Sequence, residues 1–523
     1  MPYNLIKEKV EFNEKIANET TQLLIEGDII VPDVKPDMAV VLKADADVCI
    51  DRTDIAADRV SFSGKLTVKV LYLAKGQAGS VHSMSAAHGI DDFINVEGAN
   101  KDAWLAFDAS VANLDLKMLN DRKLSYKIVV DISARVEGRT ELELVKTIED
   151  IPDGQLRKNV LSMNRIIDCR EDRFIIKDEL SLPPGKPGIS EILQTAVHIA
   201  NKDIKLSAGR ATVSGDLCVY VLYRSDGEDS VVEFSEHEIP FSGAIDLPLA
   251  REEYFCDLSL TPGDEYVRAR PNADGEDRTL EVEASVLANI TVSCQSDTEV
   301  LDDAFIVSKN VCLKREPVSY PRLICKNKNQ CPVKEIIELG PECPDMLQIF
   351  RVTGKVHTDE IKLIEDKVIA EGVIMTDVLY IAKNDNAPLY NHKAVLPYKQ
   401  VIETRGAAPG MDVIIEKNID HAGFNMLSDR EVELRFLISF NTKIISRVKA
   451  EPVSGVEISD IDKAVIDGMP SIIVYVVQNG DSLWGIAKKY NVCLDDLAEI
   501  NEIDDGSAPL APGRKLLILK KVL

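Results

Sequence analysis

No uncharged apolar run in this sequence approaches the ~18 residues that a membrane-spanning helix requires. The longest candidate, IIVYVV from Ile472 to Val477, is the size of a strand, so direct membrane insertion is not expected. The opening MPYNLIKEKVEFNEKIANETTQ carries charges throughout and lacks the apolar centre of a signal peptide, which makes the cytoplasm the expected place of work. Basic residues are scarce beside acidic ones: 61 Lys and Arg stand against 87 Asp and Glu, a formal net charge of −26 at pH 7. Such a chain repels phosphate backbones and anionic lipid, which argues against nucleic acid as a primary partner. The charge supports solubility or a basic partner surface. Close CxxC pairs are also missing. Ten cysteines run from Cys49 to Cys493, and their one cluster, Cys325, Cys331 and Cys343, has wide gaps and no evident fourth ligand. Free thiols in a reducing compartment are expected, with no metal site.

What the chain does have is apolar content, 45% of 523 residues, enough to build a core in each of three or four domains. It also repeats itself. Val31 to Gly76, Leu182 to Gly227 and Leu339 to Asn384 align without a gap. Pro36, Pro187 and Pro344 match, and so do Gly64, Gly215 and Gly372, each 28 residues further on. Six residues later each copy reads Val-Leu-Tyr, at Val70-Leu71-Tyr72, Val221-Leu222-Tyr223 and Val378-Leu379-Tyr380. An Asp-Arg pair follows in every copy, at Asp121-Arg122, Asp277-Arg278 and Asp429-Arg430. The copies are 151 and then 157 residues apart, the spacing of whole domains in tandem and far beyond solenoid units.

Inside each copy the pattern is β. Val60 to Leu73, Ala211 to Tyr223 and Lys123 to Val136 alternate polar and apolar positions and are rich in Val, Ile and Tyr. The matched glycine marks a bulge or a close backbone approach. The stretch AVVLKADADV after the first repeated proline fits helix or strand. The expected fold is mainly β: three antiparallel, sandwich-like domains over 1–150, 151–305 and 306–447, a charged linker over 448–470 with Pro and Gly near both ends, and a small module over 471–523. The repeats show no chemistry. GxSxG, HExxH, a P-loop and a GxGxxG set between strand and helix are missing. None of the seven histidines recurs in all three aligned stretches. The recurring Pro, Gly, Val-Leu-Tyr and Asp-Arg keep a fold, with the Tyr as a core or rim residue and Asp-Arg as a turn. No catalytic residue and no cofactor are expected.

The C-terminal module reads strand, helix, helix, strand. Ile472 to Val477 is the first strand, and Asn479-Gly480 turns the chain. Asp481 or Ser482 caps a helix whose apolar face is Leu483, Trp484, Ile486, Ala487 and Tyr490. A second short helix carries Leu494, Leu497, Ala498 and Ile500, and Pro512-Gly513 leads into a last strand from Lys515 to Leu519. Tyr475-x-Val477-x-x-Gly480-Asp481-Ser482-Leu483-Trp484-x-Ile486-Ala487, then Asn501-x-Ile503, then Pro512-Gly513-x-x-Leu516, closely resembles a LysM domain. That resemblance implies a saccharide groove between two loops, with Gly480, Asp481, Ser482 and Leu483 on one side and Asn501, Ile503, Leu510, Ala511 and Pro512 on the other. Two features depart from the family. Asp504-Asp505-Gly506-Ser507 stands where Asn-Pro is usual, and Cys493 stands where Ser or Thr caps the second helix. Trp484 is expected in the core rather than as a sugar-stacking platform.

Three tandem β-rich repeats followed by one LysM module are similar to the clostridial SipL-type spore coat morphogenetic proteins, built from repeated SPOCS domains and a terminal LysM. The resemblance implies a non-enzymatic adaptor in the mother-cell cytoplasm, at the forespore surface where the coat assembles. Its LysM would dock on the basal-layer morphogenetic ATPase, and its repeats would recruit other coat proteins, with tandem linkage raising avidity. The alternative is a protein whose LysM holds N-acetylglucosamine polymers such as peptidoglycan. A third reading, a wall hydrolase, needs a carboxylate pair or a Cys/His set in a repeat, and the sequence marks none.

Overall fold

The computed structural model describes residues 4–77, 79–227, 231–384, 386–461, 470–503 and 510–519. The first repeat has six strands: β1 (Asn4–Ile30), β2 (Met38–Ala56), β3 (Arg59–Ala74), β4 (Val81–Asn95), β5 (Trp104–Asn120) and β6 (Lys123–Glu149). β2-β3-β4 form one antiparallel sheet and β1-β6-β5 another. Alternation explains the faces. Val60, Phe62, Leu66, Val68 and Val70 of β3 point inward, as do Ile128, Val130 and Ile132 of β6, and together they fill one sandwich core. The second repeat copies this with β7 (Gly154–Ser181), β8 (Ile189–Ser207), β9 (Arg210–Ser225), β10 (Val232–Asp246), β11 (Phe255–Pro271) and β12 (Asp277–Ile306). The third uses β13 (Lys309–Arg315), β14 (Val318–Glu338), β15 (Met346–Ile364), β16 (Lys367–Ala382), β17 (Leu389–Glu403), β18 (Asp412–Met426), β19 (Glu431–Ala450) and β20 (Val453–Asp460). The AVVLKADADV stretch is strand, part of β2.

The first and last strands of each repeat run on past the sandwich as a two-stranded ribbon. In every copy one unpaired isoleucine marks where the ribbon leaves: Ile16, Ile167 and Ile324 are each skipped in the register as a β-bulge. The three ribbons meet in shared cores. One holds Val10, Phe12 and Leu144 of the first repeat, Leu161, Met163 and Val300 of the second and Tyr320 of the third. The other holds Val145, Ile148, Leu301, Ala304, Val453 and Val456.

This corrects the expected linker over 448–470. Val448 to Ala450 end β19, and Val453–Asp460 is a strand paired with Lys309–Arg315. Residues 462–469 of that stretch lie outside the described residues. The punctuation has another cause: Pro317 and Pro452 interrupt the third ribbon on both strands, because neither carries an N–H for the ladder. The third repeat therefore extends beyond residue 447, to Asp460.

The repeated residues converge at one corner of each sandwich. Arg122 Nη1 donates to Asp37 Oδ1 at 2.7 Å, and its Nη2 donates to the carbonyl oxygens of Val31 (3.0 Å) and Pro32 (3.2 Å). Arg430 does the same to Asp345 (2.5 Å), Leu339 (3.1 Å) and Gly340 (2.8 Å). Arg278 donates to the carbonyls of Lys186 and Pro183, because Gly188 replaces the aspartate there. The Asp-Arg pair is thus more than a turn: its arginine ties down the loop that enters the second strand. Among the described residues no helix is long and apolar enough to cross a membrane.

Candidate binding site

β21 (Ile472–Val476) and β22 (Lys515–Leu519) pair antiparallel, with α1 (Leu483–Tyr490) and α2 (Leu494–Ile500) between them in sequence. Ser482 caps α1: its Oγ accepts from the Gly485 N–H at 3.1 Å. Asp481 serves the turn instead. Its Oδ2 accepts from the Gln478 N–H and from Tyr475 Oη, both at 2.7 Å. Those two bonds, the backbone one first, hold its carboxyl below the usual carboxylate range. α1 ends on Asn491 in the left-handed conformation, and the Val492 N–H reaches back to the Ala487 carbonyl at 3.0 Å. Cys493 occupies the N-cap of α2 without a side-chain cap bond, as a weakly accepting thiol should.

The two loops expected to frame a groove meet. Val477 accepts from the Gly513 N–H at 2.8 Å and donates to the Arg514 carbonyl at 2.9 Å. Gly480, Ser482, Ala511 and Pro512 are exposed, and Asp481, Asn501, Ile503 and Leu510 are partly buried. Leu483 is instead a core residue, 1% exposed. Asn501 is fully engaged: Oδ1 accepts from the Leu517 N–H at 2.6 Å, while Nδ2 donates to the carbonyls of Leu497 and Leu517, both at 2.8 Å. It staples α2 to β22. Ile503 and Leu510 pack against the module's core. The Asp504 to Ser507 loop lies outside the described residues.

Two features escaped the sequence reading. The outer face of the ladder is apolar: Ile472, Val474 and Val476 are exposed on β21, and Leu517 and Leu519 beside them on β22. The signal was IIVYVV itself, which is apolar at both parities where a half-buried strand alternates. Trp484 is half-buried at the module's edge, packed edge-on against Phe305 of the second repeat, with ring centroids 5.1 Å apart. Nothing in the local sequence signals that contact.

The cysteine cluster is not assembled. Cys331 and Cys343 belong to the third sandwich core, and the Cys343 Sγ lies 3.6 Å from His392 Nδ1. Among the described residues no group of three or more His, Cys, Asp or Glu is arranged to hold a metal ion.

The family model described as SipL, SPOCS domain matches residues 37–119, 188–267 and 345–427, and the LysM domain model matches residues 475–519. Each SPOCS match falls on the four strands between the two long ribbon strands of a repeat, β2 to β5, β8 to β11 and β15 to β18, and leaves those two out. Comparison with curated proteins and with solved structures finds no match. SPOCS and LysM are binding rather than catalytic domains, and LysM is a type that binds peptidoglycan and other N-acetylglucosamine polymers. Three SPOCS domains followed by a C-terminal LysM domain match the architecture of the SipL-type proteins.

Proposed function

We propose that this chain is a non-enzymatic adaptor of spore coat assembly. Its LysM domain docks on the basal-layer morphogenetic ATPase at the forespore surface, on the mother-cell side, while its SPOCS repeats recruit other coat proteins. The domain content fits a sporulation coat protein. One observation carries the protein-docking reading. The polar side chains of the expected groove, Asp481 and Asn501, are already bonded within the module, whereas Ile472, Val474, Val476, Leu517 and Leu519 expose a contiguous apolar face. Carbohydrate recognition depends on free, oriented donors and acceptors; an apolar face suits a protein surface.

The test offers the full chain both insoluble peptidoglycan and the purified basal-layer ATPase. Co-sedimentation with the ATPase, lost on Val474→Lys while the chain stays folded, is the expected result. Retention on peptidoglycan with no capture of the ATPase would overturn the adaptor and leave a sugar-binding protein.

A further inference from the structure

The second ribbon differs from the other two at its end. A second bulge aligns all three ladders: Lys146, Asp302 and Ser454 are each skipped in the register. Just past it stand Thr147 and Glu149 in the first repeat, Asp303 and Phe305 in the second, and Gly455 and Glu457 in the third. Only the second repeat places an aromatic ring and an acid there.

Alternation sorts the residues of that end. Asp303 lies opposite Arg157, Ala304 opposite Leu156, and Phe305 opposite Gln155. Leu156 and Ala304 face the shared ribbon core. Gln155, Arg157, Asp303 and Phe305 therefore share the other face. An outward phenylalanine at the tip of a ribbon would ordinarily be wet, yet Phe305 is 3% exposed. The LysM domain covers it, and Phe305 is counted in the same core as Leu483, Ile486 and Ala487.

The contact is specific and polar at its centre. Trp484 Nε1 donates to Asp303 Oδ2 at 2.8 Å, and Lys488 Nζ donates to Asp303 Oδ1 at 2.5 Å. Trp484 and Lys488 are four residues apart, on one face of α1. One carboxylate thus takes both donors from the helix. The Arg157 guanidinium sits 5.4 Å from the Trp484 ring, and Gln155 Nε2 donates to the Cys493 thiol at 3.6 Å. Burial pushes the Asp303 carboxyl up, and the bonds from Lys488 and Trp484 more than reverse this, holding it ionised below the usual range.

We propose that this face of the second ribbon is a built seat for the LysM helix α1, with Asp303 as its latch. The chain then carries its LysM domain in one fixed orientation instead of on a free tether. The seat consumes Trp484 and Lys488. It leaves Gly480, Ala511, Pro512 and the apolar ladder face exposed, so a partner on those surfaces binds with the latch closed, whereas a partner needing Trp484 must first open it. This inference is independent of what the LysM domain binds.

The test uses the full chain with Gln155→Cys, whose new thiol faces the native Cys493. A dilute short bis-maleimide should link residues 155 and 493 within one molecule, identified by mass spectrometry. Asp303→Asn and Lys488→Met should each slow that link about ten-fold, the scale on which losing one charge-assisted contact shifts an equilibrium. Melting of the repeats should not change. Should Asp303→Asn disturb the ribbon, Lys488→Met, on the LysM surface, decides alone. No 155–493 link in the parent, or equal linking rates in parent and variants, would overturn the latch.

Discussion

Tyr72 Oη donates to the carbonyl oxygen of Pro36 at 3.1 Å, and the same bond joins Tyr223 to Pro187 at 3.2 Å and Tyr380 to Pro344 at 2.7 Å. Two of the features that define the repeat in sequence are thus the two ends of one buried hydrogen bond. All three phenols are fully buried. Proline supplies no N–H, but its carbonyl still needs a partner, and the tyrosine brings one across the corner. Tyr→Phe at any one site should cost about 1 kcal/mol in urea denaturation, with little change in the far-ultraviolet spectrum.

The same bond gives a pH dependence. Burial pushes the hydroxyls of Tyr72 and Tyr223 up to about 12, and that of Tyr380 also upward. An unfolded tyrosine ionises near pH ~10. Below that value the phenols are neutral in both states, and their contribution is fully present. As the pH rises further the unfolded chain sheds its protons first, so stability drains until the folded phenols ionise too. A denaturation series from about pH 9 to about pH 11 should show this loss. The triple Tyr→Phe variant should lose less over the same range, which separates the tyrosines from the lysines titrating beside them.

The leucine between Val and Tyr has another task. Val70 and Tyr72 face their own sandwich core, so Leu71 must face out of it. It is nonetheless buried, in a cluster with Leu222 and Leu379, the same residue of the other two repeats. A run of three buried residues in an alternating strand is the mark of a strand covered on both faces. Leu→Ala at any of the three should cost about 2–4 kcal/mol. Because the site is shared, the loss should raise hydrogen exchange in β3, β9 and β16 together. A rise confined to the mutated repeat would mean that the repeats fold independently.

The glycine of the repeat separates two kinds of tolerance. A Cβ on Gly372 would lie 2.1 Å from the His357 carbonyl oxygen, and one on Gly64 would lie 2.2 Å from that of Cys49. Both sit opposite a register shift, where a bulge brings the neighbouring backbone close. At Gly89 nothing lies within 4 Å. Gly372→Ala should therefore destabilise the fold by more than the ~1 kcal/mol of an ordinary strand substitution and lower the melting temperature, while Gly89→Ala should leave that temperature unchanged or raise it.

These residues show what a sequence can and cannot carry. The three sandwiches were legible because alternation fixes which side chains face inward, and the bulge was legible because only glycine tolerates that approach. The identity of the second cover was not. Leu71 reads as one more apolar residue until a neighbouring repeat lies on it. Pro452 and Gly455 read as linker punctuation, because the strand that pairs with 453–460 lies about 150 residues away in sequence. At the LysM domain the family pattern places the loops, yet Asp481 and Asn501 look the same in sequence whether their side chains face a ligand or, as here, hold the turn and staple α2 to β22. Asp303 and Phe305 carry no local pattern, since their role exists only once α1 arrives.

Cys493 offers a way to strengthen the LysM domain without touching its exposed surfaces. It stands at the N-cap of α2 in extended conformation, with φ −61° and ψ 136°, the geometry from which a hydroxyl reaches the backbone of the first turn. The thiol makes no such bond. Cys493→Ser keeps the size of the side chain and can still accept from Gln155, while adding a cap worth about 0.5–2 kcal/mol. The complementary loss is Ser482→Ala, which removes the bond to the Gly485 N–H and should cost about 1 kcal/mol. Hydrogen exchange over 483–500 reads both changes directly. Protection should rise in α2 for Cys493→Ser and fall in α1 for Ser482→Ala, with the repeats unaffected. If Cys493→Ser instead lowered protection in α2, the thiol contact with Gln155 would outweigh the missing cap.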